Sequence, residues 1–533
     1  MRWLGALALL GACGGKQAPP PDGGAVSLVL DIPNGMLDPR GYTTVQLVLH
    51  EPKRDVTQTA TVDGAGNFTL DRIDPSDSVS IEAWLRNDSG AAVGYGRTAV
   101  AAALAGGAQI TVPVRRPIAY FAGTVSRDAD GDPQTTPLHW TGAPATFADL
   151  SAGAALDGKS QIGGSAVLMI GGGPSLYMVG QATSDPNGAL TGPAKVTPIS
   201  TVDHTMAAAL SGAMTGAVLD GAGADDGSQL VVGTATQLFA IDAATGAVRA
   251  LADGSFARVA ILTADNGELD AVAIKNRGAT TGACAMTAEL WWAPLTGASA
   301  GPAHMVAVGG FSDIATDRGR AYYVDACTGE LGELTSSAAQ KLLAIPGTGT
   351  AAGAGAGKPT ALAVSNGQAY IGVETPPGTG PMAPAIAALL VTSTASADGM
   401  RTLWTEGATQ VLDVTSQTDV QRKLSASSVV IPHLEVGAGG DYIALTTSAH
   451  FHGDEIVDLF PEMTIDTEEL RVFAAATGGV IARYRSWCDG IIIRRRVLEL
   501  SGWECSAAAG QSAAFDDTLE HHIGSMTFLF GKK

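Results

Sequence analysis

Residues 238–251 read LFAIDAATGAVRAL, residues 321–334 AYYVDACTGELGEL and residues 470–483 LRVFAAATGGVIAR. Each is an apolar strand, a turn of small residues closing on Thr-Gly, and a second apolar strand; LWWAPLTGASAG at 290–301 is a looser copy. In such a turn glycine takes the positive φ that tight reversal needs, and the Asp or Thr hydrogen-bonds the turn's own backbone. A recurring unit of this kind marks a chain built by repetition. Between the copies lie more apolar runs of strand length, among them SAVLMI, SQLVVGT, ARVAILT, ELDAVAI, TALAVSN, QAYIGVE, AALLVTS and DYIALTT.

These segments resemble the outer hairpin of a β-propeller blade, most closely the pyrroloquinoline-quinone-like repeat with its Asp-Ala-x-Thr-Gly turn, here Asp242 to Gly246 and Asp325 to Gly329. The resemblance implies four-stranded sheets around a channel, so the stretch 117–533 makes about six to eight blades. The last strand, IGSMTFLF at 523–530, is placed to pair with the strand near Ile118 to Thr124 and close the ring. Closure removes two exposed edges.

Upstream, residues 25–115 hold the runs AVSLVLDI, TTVQLVLHE, TQTATV, GNFTL, SVSIEAWL and QITVPV, separated by Gly, Pro, Asp and Asn clusters. That pattern predicts a β-sandwich. The stretch VDGAGNFTLDRIDPSDSVSIEAWL resembles the hairpin of carboxypeptidase-regulatory and transthyretin-like domains, with Asp63 to Asn67 as the turn and Phe68 returning to the core. The expected architecture is all-β: an N-terminal β-sandwich followed by a six- to eight-bladed β-propeller.

The chain opens MRWLGALALLGACGGK, with Arg2 as a positive n-region and Trp3 to Leu10 as an apolar run too short to span a bilayer. Leu10-Gly11-Ala12-Cys13 resembles the lipobox of bacterial lipoproteins. The resemblance implies that residues 1–12 are removed and that Cys13 is acylated, anchoring the chain with more than one acyl group. Residues 13–24 then read as a Gly/Pro tether. Gly14, where an Asp would favour inner-membrane retention, points to the outer membrane.

The 533 residues exceed one ordinary core. Lys and Arg number 32 against 52 Asp and Glu, a net charge of −20 that disfavours nucleic acid as a partner. Beyond Cys13 the cysteines are Cys284, Cys327, Cys488 and Cys505. An exported chain allows disulfides, and of the three connectivities the nearest-neighbour pairs Cys284 with Cys327 and Cys488 with Cys505 close the shortest loops. None lies in a C-x-x-C pair, which argues against zinc.

Several motifs bear on chemistry. Asp128, Asp130 and Asp132 resemble the D-x-D-G-D core of a calcium loop, though Gln134 and the missing bidentate Glu favour a plain acidic turn over a Ca²⁺ site. Asp220 to Asp226 and Asp265 to Asp270 are looser versions. His450, His452 and Asp454 in HFHGDE form the densest set of potential metal ligands, with His521 or His522 available as a further ligand from elsewhere in the chain; a polar rim loop explains the same residues. Gly297 to Gly301 matches G-x-S-x-G without the helix that a nucleophile elbow needs. GTAAGAGAGKPT at 349–360 lacks the features of a phosphate loop and reads as a connection. The acidic residues 454–469 and the basic stretch with Arg483, Arg485 and Arg494 to Arg496 are placed to pair across strands.

The expected role is that of a membrane-anchored, non-catalytic binding or scaffold module with an envelope protein or carbohydrate as partner. The alternatives are a propeller enzyme, hydrolase or quinoprotein-like oxidoreductase, and a purely structural envelope component. Convergent Asp, His or Arg side chains at the channel mouth would favour the enzyme, whereas the inner strands read as Ala, Val, Leu and Ser.

Overall fold

The computed structural model describes residues 27–530 other than 33–38, 40, 52–53, 63–79, 99–108, 128–138, 151–160, 182–189, 191, 265, 277–287, 298–299, 350–355, 379–383, 407–408, 414–420, 454–462 and 493–520. The described chain is almost entirely β, and none of its helices is long and apolar enough to cross a membrane.

The first six strands are β1 (Ser27–Asp31), β2 (Thr44–Glu51), β3 (Arg54–Thr61), β4 (Ser80–Arg86), β5 (Ala92–Arg97) and β6 (Gln109–Arg115). They form one hydrogen-bonded sheet in the order β1-β6-β5-β4-β2-β3, with β1 parallel to β6. Val45, Leu47 and Leu49 alternate inward along β2, the period-two pattern of a half-buried strand. Leu30, Ile110, Val112 and Val114 from one end of the sheet share a core with Val45, Leu47, Ile81 and Leu85 from the other. Strand β5 escaped the sequence reading because AVGYGR carries two glycines; GNFTL lies outside the described residues.

Arg116 and Pro117 then lead into β7 (Ile118–Arg127), β8 (His139–Asp149) and β9 (Gln161–Ala166). A three-stranded sheet follows: β10 (Leu168–Gly172), β11 (Ser175–Gln181) and β12 (Ala194–Ile199). Residues 206–214 run along its outer edge, held by bridges from Ile199 to Met206 and Ala194 to Met214. Three four-stranded meanders come next. They are β13 (Val218–Gly223), β14 (Gln229–Thr234), β15 (Gln237–Asp242) and β16 (Val248–Asp253); β17 (Phe256–Thr263), β18 (Leu269–Asn276), β19 (Ala288–Pro294) and β20 (His304–Gly309); and β21 (Phe311–Asp317), β22 (Arg320–Asp325), β23 (Glu330–Leu334) and β24 (Ala339–Ala344).

A fourth meander comprises β25 (Lys358–Ser365), β26 (Gln368–Thr375), β27 (Ile386–Ser393) and β28 (Ser396–Glu406). A larger sheet then contains β29 (Thr409–Asp413), β30 (Gln421–Val430), β31 (Leu434–Gly437), β32 (Tyr442–Gly453), β33 (Met463–Ala474) and β34 (Val480–Ile492). Finally β35 (His521–Phe528) returns to pair antiparallel with β7, Ile523 opposite Gly123 and Phe528 opposite Ala119, as the sequence predicts. The first strands β10, β13, β17, β21, β25, β31 and β35 touch one another in turn, and β35 touches β10, so the series runs round a ring. The described arrangement is propeller-like.

Three of the Thr-Gly turns occupy the outer hairpin between the third and fourth strands, after β15, β19 and β33. The turn at Asp325 does not: it joins β22 to β23, the second and third strands, and so lies at the other end of its sheet. The local chemistry is shared all the same. Asp242 Oδ1 accepts the Thr245 amide at 2.8 Å and Asp325 Oδ1 the Thr328 amide at 2.9 Å, while Gly246 and Gly329 take φ of 72° and 68°. The turn motif therefore marks a reversal and not a fixed place in a blade, which is why its spacing is irregular.

The N-terminal sheet packs on the end of the ring that carries the turns between first and second strands. Trp84 and Tyr95 sit in one core with Ala438, Tyr442 and Phe530. Trp84 Nε1 donates to the Ala438 carbonyl at 3.1 Å, and Tyr442 Oη donates to the Ala92 carbonyl at 2.7 Å. Gly439, at φ 63°, is required there: a Cβ would stand 2.5 Å from the Trp84 ring. Arg86 pairs with Asp441 at 2.5 Å, Arg97 with Asp225, and Asp55 with Arg318 at 3.6 Å. These partners belong to sheets on opposite sides of the ring, so the N-terminal sheet lies across the channel end.

Candidate functional site

Each first strand pairs along one edge with its second strand and turns the other edge to the channel, where its amides have no ladder partner. Near the start of five of these strands the register breaks, between Val218 and Asp220, Phe256 and Arg258, Phe311 and Asp313, Pro359 and Ala361, and Ile523 and Ser525. A bulge re-aims the side chain beside it. Here Asp220, Arg258, Asp313 and Ser525 line one pocket together with Pro432, His433 and Glu435, at the channel end opposite the N-terminal sheet. The enclosed part of the pocket has room for about one water.

The polar side chains of the wall reach across to the next strand. Asp220 Oδ2 accepts the Val259 amide at 2.9 Å, joining β13 to β17. Asp313 Oδ2 accepts the Leu362 amide at 2.8 Å, joining β21 to β25, while Oδ1 takes the Ile314 amide at 2.9 Å and faces Arg258 Nε at 3.3 Å. Glu435 Oε1 accepts the Phe528 amide at 2.8 Å and the Thr527 hydroxyl at 3.1 Å, joining β31 to β35. Ser525 Oγ and Thr527 Oγ1 accept the Met169 and Gly171 amides at 3.0 and 3.1 Å, joining β35 to β10. The Thr316 hydroxyl donates to the Ile261 carbonyl at 2.9 Å across the β17–β21 junction. From the second strand of its sheet, Glu374 Oε1 accepts the Ile431 amide at 2.7 Å, and burial raises that carboxyl's pKa.

Arg258 completes the mouth by donating from Nη2 to the Pro432 carbonyl at 2.9 Å. Asp220, Asp313 and Glu435 are almost wholly buried. Chemically, three carboxylates, a guanidinium and an imidazole surround a narrow opening, and each carboxylate gives at least one oxygen to backbone amides. The sequence reading missed this set because it looked for motifs along the chain, while the residues come from separate strands. A signal was present: Asp220, Arg258 and Asp313 each stand third in strands whose other residues are mostly apolar or small.

Of the residues singled out from sequence, Asp220 lies in this wall and the others fall elsewhere or outside the described residues. Asp128, Asp130, Asp132 and Asp454 lie outside the described residues, as do Cys13, Cys284 and Cys505. His450 and His452 sit on β32, opposite Asp466 and Thr464 of β33, whereas His521 and His522 begin β35 in the neighbouring sheet. Among the described residues no group of three His, Cys, Asp or Glu is placed to hold a metal. In the Asp220 to Asp226 stretch, Asp220 serves the channel wall, Asp225 pairs with Arg97, and Asp226 Oδ1 accepts the Ser228 amide at 2.9 Å. These acids part company instead of converging on a cation. Cys327 lies in the β22–β23 turn, and Cys488 falls within β34. Gly297 to Gly301 joins strands β19 and β20, and residues 349–357 lead into β25, so neither is followed by a helix. Across β33 and β34 the register sets Glu469 opposite Arg485.

No protein-family model and no curated protein matches the chain. Solved structures with propeller-like folds resemble it weakly. The β-propeller domain of Cps50 (Swd1) from Myceliophteria thermophila is 11% identical over 62% of this chain and 97% of its own, with a TM-score of 0.31. The β-propeller domain of the trilobed protease from Pyrococcus furiosus is 7% identical over 58% and 92%, at 0.32. A protein from Bacteroides fragilis provisionally named a 6-phosphogluconolactonase is 10% identical over 68% and 93%, at 0.35. These likenesses assign no activity, and the architecture rests on the strand pairing itself.

Proposed function

We propose that the protein is an exported lipoprotein, held at the outer membrane through Cys13, whose folded part is a non-catalytic binding or scaffold module: a sandwich-like N-terminal unit and a seven-bladed propeller. Bridges from Cys284 to Cys327 and from Cys488 to Cys505 belong to the same reading. The N-terminal sheet covers one channel end, leaving the other end, with the pocket and the long strands β32, β33 and β34, to meet an envelope protein or carbohydrate.

The observation that carries the non-catalytic reading is the use of the mouth carboxylates as acceptors for neighbouring-strand amides. A catalytic carboxylate held for chemistry tends to strain its surroundings, so its removal commonly leaves stability intact or raises it. A structural acceptor behaves in the opposite way. Melting of Asp313→Ala and Glu435→Ala variants tests this: a fall of several degrees in each supports the reading, and an unchanged or higher Tm in both contradicts it. Peptide mapping of membrane-extracted protein tests the anchor, which requires an acylated peptide beginning at Cys13; an unmodified N-terminus elsewhere removes that part of the reading. The second reading, a propeller hydrolase or oxidoreductase, is favoured by the convergence of Asp220, Asp313, Glu435, Arg258 and His433.

A further inference from the structure

The ring is closed by a strand from the far end of the chain, and that strand is covered by the near end. Among the described residues β35 has β7 as its one ladder partner. Just past β35 the chain runs under the N-terminal sheet. The Phe530 ring meets Tyr95 edge-on at 5.8 Å between centroids, its carbonyl accepts from Arg97 Nη1 at 3.3 Å, and its amide donates to the Gly173 carbonyl at 3.0 Å. Arg97 is 7% exposed and also grips Asp225 in the β13–β14 turn, so one guanidinium ties the N-terminal sheet to the closing strand and to a third sheet. Tyr95 Oη donates to Glu82 at 3.0 Å, which fixes the ring that meets Phe530 edge-on.

We infer that the N-terminal sheet is a clamp on ring closure: while docked it traps the end of β35 against β7 and the β10–β11 turn, and undocking it releases the closing strand before any other part of the ring. The physical basis is local. Undocking withdraws Tyr95 and Arg97 from Phe530 and leaves β35 with its ladder to β7 and the Ser525, Thr527 and Glu435 bonds to its neighbours; that ladder joins the two ends of the chain, whereas each meander from β13 to β28 pairs strands that follow one another in sequence. Opening free energies differ between such segments according to the contacts each retains. A load applied through the N-terminal tether would therefore reach the ring at its closure.

The test is amide exchange by mass spectrometry on the full chain, comparing peptides covering 521–530 with peptides covering 256–276. Two variants undock from opposite sides: Arg97→Ala in the sheet and Asp225→Ala in the ring. The inference expects exchange in 521–530 to speed up at least tenfold in both while 256–276 stays within twofold of the wild-type chain. Retained protection of 521–530 alongside faster exchange in 44–61 overturns it, since the sheet would then leave without freeing the strand. Equal acceleration of both peptides overturns it as well, because closure would not be singled out. If Arg97→Ala fails to fold, Asp225→Ala alone decides, and failure of both to fold contradicts a clamp confined to closure.

Discussion

The two ends of the channel solve different problems with different chemistry. At the covered end, Trp84, Tyr95, Tyr442 and Phe530 form an apolar seat, and ion pairs such as Arg86–Asp441 surround it. At the open end, Asp220, Asp313, Glu435 and Ser525 hold the amides of strand edges that no other strand reaches. The covered end therefore depends on apolar burial, and the open end on hydrogen bonds made by buried carboxylates away from water. An unsatisfied amide there costs more than it would at a wet surface. Polar convergence at a propeller mouth is thus explained by edge satisfaction before any reaction is invoked.

The contrast can be broken at either end. Truncating Trp84 to Ala removes a 6% exposed indole and its bond to Ala438, and we expect a loss of roughly 4 kcal/mol in denaturant unfolding. Two-step unfolding, with the N-terminal sheet leaving first, would show that the ends are energetically separate. At the open end, Asp313→Ala strands the Leu362 and Ile314 amides and leaves Arg258 with carbonyl partners but without the Asp313 carboxylate, for an expected loss of about 3 kcal/mol. A loss under about 0.5 kcal/mol, the range of ordinary surface changes, would mean that the wall does not need this acceptor.

Acid should weaken the structure through a group at neither end. His204 is buried against Tyr120 and Phe147, and desolvation pushes its pKa down to about 4. The folded state keeps this imidazole neutral, while the unfolded chain takes up the proton below about 6.5. Stability is therefore full above pH 6.5 and declines as the pH falls toward 4, by roughly 3 kcal/mol over that window. His204→Asn, which tolerates the positive φ of 59° at this position, should flatten the slope between pH 4 and 6.5; an unchanged slope would place the sensitivity elsewhere. The smallest effect expected is at the repeat itself: Asp242→Ala removes the acceptor for Thr245 on an exposed turn and should lower the urea midpoint less than any change above; a drop as large as that of Asp313→Ala would contradict this ranking.

Much of the ring was legible because its signals are local. Apolar runs broken by Gly and Asp turns marked many strands of the ring, among them β10, β14, β15, β17, β18, β22, β25, β26 and β27, while the more polar or glycine-rich β12, β13, β21 and β24 went unmarked, and the apolar segment 523–530 revealed the closing strand, whose only need was a partner of matching length. What escaped the sequence has long-range causes. The six N-terminal strands make one continuous sheet order, since β1 pairs in parallel with β6, a choice no period-two pattern records. The seat for Trp84 and Tyr95 depends on Gly439 lying more than 340 positions away, seen only once β31 and β32 are placed. The channel carboxylates were hidden because bulges shift the inward-facing parity, so that Asp220, Arg258 and Asp313 turn toward the axis where alternation alone would give no warning.

The central claim, that the mouth carboxylates hold strand edges together, is tested most directly by single-residue amide exchange at Val259 in the wild-type chain and in Asp220→Ala. The account predicts that Val259 is protected as well as the ladder amides of β17 in the wild type, and that the substitution speeds its exchange at least tenfold while Ala260 is unaffected. Fast exchange at Val259 in the wild type, or no change on losing Asp220, would contradict the account and return these carboxylates to the enzyme reading.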